Sequence, residues 1–332
     1  MDFKKMPKVL LADELVDIAF KRASKESRKL PKKIPRHLRV KKKEAAKVKV
    51  VSGYIRKHFG KVISRTPSLD QLTPFYHDLV DILVGIDAFK RSLASLNWAT
   101  DVILRLEKKT LYKIRTSRKN EDIFEARRAF YGRLTSILKQ IESDLRFLNS
   151  AREQLQKLPS VESTFTIVVA GAPNVGKSTF VRGITSAEPK VDSYPFTTQR
   201  LLLGYFERRH RRFQVVDTPG LLDRPLGERN EVEKQAILAL EHLADLILFL
   251  FDPSEVCGFP IEYQINLYRE VSDIFDIRVV PIINKSDLLK EKTIDDFSKK
   301  IEGEVFICSS TKNQGLEAII GMIVDIGDVK IR

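Results

Sequence analysis

Apolar residues recur at two different spacings along this 332-residue chain, and the spacing changes near residue 160. In the first half they return every three or four positions, the period of an amphipathic helix. Leu11, Leu15, Ile18 and Ala19 form one such face over residues 8–22, and Val48, Val51, Ile55, Phe59 and Val62 form another over 45–63. Residues 74–115 carry Leu79, Ile82, Leu83, Ile86, Leu93, Leu96, Ile103 and Leu106 mostly in helical register, with Gly85 placed to bend the helix. The longest stripe runs Ile123, Phe130, Leu134, Ile137, Ile141, Leu145, Leu148 and Leu155, and predicts one helix over 121–158. No proline and only two glycines lie between Phe75 and Leu158, so long antiparallel helices in a bundle are expected.

Beyond Ser160 short apolar runs at 165–170, 201–206, 213–216, 246–251, 279–283 and 305–308 alternate with helical stretches near 177–184, 231–243, 261–275, 294–301 and 316–326. Such alternation predicts a doubly wound, mostly parallel α/β sheet whose ligands gather at the carboxyl ends of the strands. Pro159 and Ser160 mark the boundary. The expected organisation is an all-α helical bundle domain over residues 1–160 and an α/β domain over 161–332.

Charge separates the same two halves. Residues 1–160 carry 37 Lys and Arg against 18 Asp and Glu, a net +19, whereas residues 161–332 carry a net −5. The stretch 21–65 holds 18 basic and 2 acidic side chains, with Pro31 and Pro35 interrupting any helix, and such a polycation implies a polyanionic partner, nucleic acid first. Few aromatics interleave with the lysines of 21–50, which favours duplex or shape recognition over base stacking. Cys257 and Cys308 are far apart and lack His partners at metal spacing, so a disulfide framework and a zinc site are both excluded and a reducing cytoplasm is expected. No apolar run approaches membrane-spanning length, and the N-terminus has no secretory pattern. His37, His58 and His77 are isolated and read as surface or structural histidines.

Candidate chemistry lies wholly in the second half. The sequence TIVVAGAPNVGKST (166–179) places a β-branched run before Gly171 and a helix after Gly176. Gly171, Ala172, Pro173, Asn174, Val175, Gly176, Lys177, Ser178 and Thr179 read as a phosphate-binding loop, its N–H groups and the following helix N-terminus directed at phosphate. Lys177 is expected to reach the outer phosphates and Ser178 to ligate Mg²⁺. Asp217-Thr218-Pro219-Gly220 follows a second apolar run, with Asp217 a candidate Mg²⁺ ligand through water and the Gly220 N–H a γ-phosphate sensor. In the loop Tyr194-Pro195-Phe196-Thr197-Thr198, Thr198 is taken as the hydroxyl that joins Mg²⁺ when γ-phosphate is present, with Thr197 as the alternative. Asn284-Lys285-Ser286-Asp287 follows a third run, and the Asp287 carboxylate can accept guanine N1–H and the 2-amino group, a pair that adenine does not offer. Asn284 would contact N7 or brace the loop, the Lys285 stem would lie along the base, and Ser309-Ser310 would offer an N–H to guanine O6.

Taken in this order, GAPNVGKS, FTT, DTPG, NKSD and CSSTKNQG resemble the five guanine-nucleotide motifs of translation-factor-type GTPases over about residues 164–326. The segments GLLDRPLGERNEVEKQAILALEHL and DPSEVCGFPIEYQINLY further resemble the nucleolar GTP-binding protein family, among the Obg-related GTPases of ribosome assembly, and the basic helical half is similar to that family's N-terminal domain. The chain ends where eukaryotic members continue, which suggests the short archaeal form. The resemblance implies a P-loop GTPase domain binding GTP or GDP with Mg²⁺. It also implies partners in ribosomal RNA, the precursor large subunit and its assembly proteins, with the chain a monomer off the ribosome and no membrane partner expected. A membrane-surface GTPase using the basic arm on anionic lipid, or an RNA-binding scaffold with structural nucleotide, are the alternatives. Lys177, Thr198, Gly220 and Asn174 are the residues expected to serve hydrolysis. Leu221 stands where Ras-like enzymes carry a water-orienting glutamine, so hydrolysis is expected to be slow unless a partner or K⁺ assists. Asn174 resembles the asparagine that coordinates K⁺ in potassium-activated relatives, turn shaping being its other reading. Residues 222–233 are expected to change order with the nucleotide.

Overall fold

Helical periodicity in the first half is realised as a set of packed helices in the computed structural model, which describes residues 3–28, 35–162, 164–186, 189–192, 201–217, 220–301 and 303–329. The chain divides into two units, Met1–Gln71 with Leu83–Gln156, and Leu72–Ile82 with Lys157–Arg332.

In the first unit α1 (Ala12–Ser27), α2 (Arg36–Arg65), α4 (Ile86–Thr116), α5 (Asn120–Gln140) and α6 (Glu142–Leu155) form the bundle, while α3 (Pro74–Val84) lies mostly in the second unit. α2 packs on α1, α4 and α5, and α4 also meets α6. The predicted stripes are the core: Leu15, Val48, Val51, Ile55, Phe59, Leu96, Ile103, Phe130, Leu134 and Leu145 are all buried. Burying a side chain of this size is worth about 1.5–3 kcal/mol, enough in sum to hold helices whose surfaces repel one another. Among the buried polar groups, Ser52 donates to Glu107 at 2.6 Å and Ser92 to Asp144 at 2.9 Å, and the Glu44 carboxylate pairs with Lys47 at 2.7 Å and Arg127 at 2.6 Å.

Two long predicted helices are each broken once. Gly85, at φ 72°, separates α3 from α4, a conformation costly for any residue with a Cβ. Ile141 ends α5 and precedes α6, so the helix expected over 121–158 is two helices. The break is one residue long and Ile141 stays buried, so the apolar stripe passes through it in phase. α2 begins directly after Pro35, so much of the polycationic stretch is helical; residues 29–34 lie outside the described residues.

The second unit is built on a seven-stranded sheet among the described residues: β1 (Phe165–Ala170), β2 (Lys190–Asp192), β3 (Leu201–Arg208), β4 (Arg211–Asp217), β5 (Leu246–Phe251), β6 (Val279–Ile283) and β7 (Phe306–Ile307), in the order β2-β3-β4-β1-β5-β6-β7. β4, β1, β5, β6 and β7 run parallel, and β3 is antiparallel to β4 and β2. The doubly wound expectation holds, with β2 added at the edge. Every residue of β5 is buried because helices cover both faces. On one face Ile167, Val169, Leu248, Leu250 and Ile282 pack with Phe180 and Ile184 of α7 (Lys177–Ile184) and Ile319 and Ile323 of α11 (Leu316–Val329). On the other, Phe249 meets Tyr268 of α9 (Ile261–Ile274) at 5.4 Å between ring centres, and Phe251 meets Phe297 of α10 (Glu291–Ser298) at 4.9 Å; α8 (Glu231–Leu238) lies between β4 and β5 in the chain. Tyr76 of α3 ties the entry to β1, its hydroxyl donating to the Pro159 carbonyl at 2.7 Å and accepting from the Val161 N–H at 2.9 Å. The carboxyl ends of β1, β4, β5 and β6 therefore stand side by side.

Candidate nucleotide-binding site

The loop between β1 and α7 is shaped by three left-handed residues, Gly171 (φ 136°), Asn174 (φ 61°) and Gly176 (φ 101°). A Cβ on Gly171 would stand 2.5 Å from the Leu250 carbonyl oxygen, and one on Gly176 would stand 2.5 Å from the Asn284 amide nitrogen, so both glycines are required by contact as well as by φ. Lys177 lies at the first turn of α7 and folds back over the loop. Its ammonium donates to the Gly171 carbonyl at 2.8 Å and the Ala172 carbonyl at 3.0 Å. Burial pushes the Lys177 pKa below its ordinary value, with Asp217 and Asp223 opposing the shift. A buried cation whose hydrogen bonds among the described residues go to neutral carbonyls favours arrival of an anion.

Ser178 Oγ donates to Asp217 Oδ2 at 2.6 Å, joining the phosphate loop to the end of β4. The fully buried Asp217 sits beside Val169 in the sheet register. Two hard oxygens so placed form a fitting donor pair for Mg²⁺. After Asp217, Gly220 (φ 78°) donates its N–H to Asp223 Oδ2 at 2.8 Å, and its carbonyl accepts from the Arg229 guanidinium at 2.7 Å. Arg229 also bonds Asp223 at 3.2 Å, and its side chain is 1% exposed. Leu221 is buried, and the Leu222 carbonyl accepts the Gly171 N–H at 3.1 Å, so this segment closes against the phosphate loop. Thr197, Thr198, Thr218 and Pro219 lie outside the described residues.

The third part of the site comes from β6 and β7. Asn284, nearly inaccessible, donates its amide to the Val175 carbonyl at 2.9 Å and accepts from the Ser310 N–H at 3.0 Å and the Ser310 hydroxyl at 2.8 Å. Of its two expected roles, bracing the loop is the one the geometry displays. Asp287 accepts from the Ser309 hydroxyl at 2.6 Å, and this bond first, then its own backbone N–H and Lys312, holds its carboxyl below the ordinary value. Asp287 is therefore ionised and acceptor-only at neutral pH. The Ser310 N–H is committed to Asn284 and the Ser309 N–H to the Gln314 carbonyl at 3.0 Å, so neither is an open donor for guanine O6. Their hydroxyls bond the Asp287 carboxylate and the Asn284 amide oxygen instead.

Lys285 occupies a left-handed turn (φ 56°) and its ammonium meets Asp252 at 2.7 Å. Asp252, at the end of β5, is fully buried and also accepts from the Ser254 N–H at 3.1 Å and the Cys257 N–H at 2.9 Å. Burial would raise its carboxyl, but Lys285 and Ser254 hold it below the usual range. Neither this anchor nor the Asp223–Arg229 pair emerged from the motifs. One signal existed: Asp252 closes an apolar strand as Asp217 does.

The family model for the NOG1 N-terminal helical domain matches residues 3–162, and that for nucleolar GTP-binding protein 1 (NOG1) matches residues 231–287. A nucleolar GTP-binding protein 1 of Kluyveromyces lactis is 34% identical over 304 residues, 91% of this chain and 47% of that protein. The chain belongs to the NOG1 family. An uncharacterized protein of Methanocaldococcus jannaschii is 44% identical over 88% of this chain and 83% of its own length. The chain spans about half the length of the NOG1 proteins of yeasts and Drosophila melanogaster that it matches. Among solved structures, a nucleolar GTP-binding protein 1 of Plasmodium falciparum is 33% identical, covering 52% of this chain and 91% of that one, at a TM-score of 0.45. The G domain of the Thermotoga maritima FeoB iron transporter is 26% identical, covering 49% and 98%, at a TM-score of 0.41. As a NOG1-family chain with a P-loop GTPase-type domain, it carries its guanine-nucleotide motifs on the strand ends described above.

Proposed function

We propose that this chain is a GTP-binding switch and slow Mg²⁺-dependent GTPase that docks on ribosomal RNA through its basic helical half during assembly of the large ribosomal subunit. The observation that carries the reading is the side-chain lattice at the end of β6. Asn284 ties the phosphate loop to Ser310, and Asp287, fixed by Ser309, is left ionised to accept the N1–H and 2-amino hydrogens of guanine. Lys285, anchored by Asp252, presents its stem to the base. Lys177 exchanges its two carbonyl partners for phosphoryl oxygens, which restores the solvation that burial removed.

Ser178 and Asp217 would hold Mg²⁺, with the switch-loop threonine completing the set, and the ion would supply positive charge against the β- and γ-phosphoryl oxygens. Gly220 reaches a γ-phosphate by exchanging the Asp223 carboxylate for it, so the Asp223–Arg229 pair opposes the triphosphate state. Such an exchange would reorder residues 222–233 between GDP and GTP. The Leu221 side chain has no polar atom with which to orient water, which leaves Lys177 and Mg²⁺ to stabilise transferred charge and gives a low intrinsic rate. K⁺ held near Asn174, or a group from the assembling particle, would raise it.

The net +19 of residues 1–160 supports docking on RNA, and among the described residues no helix is long and apolar enough to cross a membrane. A cytoplasmic setting and partners among ribosomal and assembly proteins belong to this reading. The test is single-turnover hydrolysis of GTP by the full chain, alone and with precursor large-subunit particles, in K⁺ and in Na⁺. Slow turnover alone and acceleration on particles are expected. Equal rates with and without particles would remove the assembly role, and equal rates in the two salts would remove the K⁺ role.

A further inference from the structure

The α2 and α4 helices of the first unit leave a groove that neither the nucleotide site nor the bundle core uses. It has a volume of about 570 Å³ and is lined by Leu38, Lys41, Lys42, Ala45 and Lys49 from α2, and by Lys108, Leu111, Tyr112, Ile114 and Arg115 from α4. On α2 these positions follow i, i+3, i+4, i+7 and i+11, one continuous face about 16 Å long. On α4, Lys108, Leu111, Tyr112 and Arg115 repeat the same spacing. Two helix faces thus lie side by side with their outward stripes unfilled by any described residue. Ile114 forms a buried floor, while Leu38 and Tyr112 are 41% and 62% exposed, large apolar surfaces left in water. Lys41 donates to the Arg115 carbonyl at 2.9 Å, which ties α2 to the last turn of α4.

Five cations surround this apolar floor, and no carboxylate lines it among the described residues. We infer that the groove is a docking site for an acidic amphipathic helix of a protein partner. The floor offers sockets for aliphatic side chains at i, i+3 or i+4 and i+7, and the lysines and arginine along both rims match carboxylates on the flanks of the same helix. A length of about 16 Å corresponds to about eleven helical residues. RNA fits less well, because four of the five uncharged lining residues are aliphatic and one exposed tyrosine makes a poor platform for successive bases. The remaining basic surface of the half is left for RNA. This site is separate from the nucleotide reading and stands or falls without it.

The test is fluorescence anisotropy on the full chain with a labelled peptide of about 14 residues, leucines at i, i+3, i+4, i+7 and i+11 and glutamates on the opposite face. A permuted peptide of identical composition, a single-stranded RNA oligonucleotide and phosphatidylserine vesicles form the other arms. The ordered peptide is expected to bind at least about ten-fold more tightly than the permuted one. The double variant Leu38→Ser with Tyr112→Ser, both at exposed positions, should abolish that ratio while GDP affinity and the helical circular dichroism signal stay unchanged. Equal affinity for the two peptides overturns the inference. Greater loss of RNA or vesicle binding than of peptide binding in the double variant overturns it as well, and assigns the groove to that polyanion.

Discussion

The two units bury polar groups for different ends. In the helical unit the interior is mostly apolar, and its buried polar contacts, Ser52 with Glu107, Ser92 with Asp144 and Glu44 with Arg127, join neighbouring helices. In the nucleotide unit the buried polar side chains Lys177, Asp217, Asp252, Asn284, Ser309 and Ser310 crowd at the carboxyl ends of adjacent strands. The first arrangement maximises cohesion. The second gives some of it away, because a desolvated ammonium at Lys177 is unfavourable until a polyanion meets it. Cohesion of the helical bundle and recognition of nucleotide are thus carried by separate parts of the chain, and substitutions should separate them too.

The largest expected effect is on cohesion. Phe59→Ala in the bundle core should cost about 3–5 kcal/mol in chemical denaturation, with GDP affinity of the folded fraction unchanged. A parallel loss of nucleotide affinity would break the division. The converse variant, Lys177→Met, should lower single-turnover hydrolysis by about 10²–10³-fold or more, yet leave the melting temperature equal or higher, since a buried charge is replaced by an apolar chain of similar length. A fall in melting temperature comparable to that of Phe59→Ala would refute it. Next in size, Asp287→Asn should weaken GDP by about 10–100-fold and shift preference toward xanthosine diphosphate, whose 2-oxo group accepts the new amide donor. Retained guanine preference in competition binding would move base recognition elsewhere.

The smallest effects concern the anchor at Asp252. Removing its charge with Asp252→Asn frees Lys285, and GDP affinity should fall about ten-fold by calorimetry. The same group gives a pH signature. Its folded pKa lies below the ordinary value, so its stabilising contribution is present above the unfolded pKa of about 3.9 and is lost as pH falls through the lower folded one. Below roughly pH 4 the wild type should therefore lose stability more steeply than Asp252→Asn. Parallel acid melts of the two proteins would show that Asp252 is not charged in the fold.

These contrasts also explain which parts were legible in the chain. Helices could be read because burial imposes a period on Val48, Val51, Ile55 and Phe59 that needs no knowledge of the partner helix. The phosphate loop could be read because its backbone requires glycine at Gly171 and Gly176 whatever surrounds it. The β2 strand escaped notice because three residues at a sheet edge carry no apolar signal. The pairings Asp252–Lys285 and Asp223–Arg229 escaped it because charges 33 and six residues apart are ordinary until the strand ends place them together. The break at Ile141 was concealed because a turn that preserves the buried stripe leaves periodicity intact.

The amide of Asn284 bonds a carbonyl 109 residues earlier, at Val175. A contact of that span cannot form while the intervening strands are unmade, and chains emerge from synthesis N-terminus first. The phosphate loop would be translated early but gain its brace only after β6 has emerged and docked. A chain that ends before β6 would thus carry a phosphate loop whose Val175 carbonyl lacks the Asn284 amide that holds it in the finished domain.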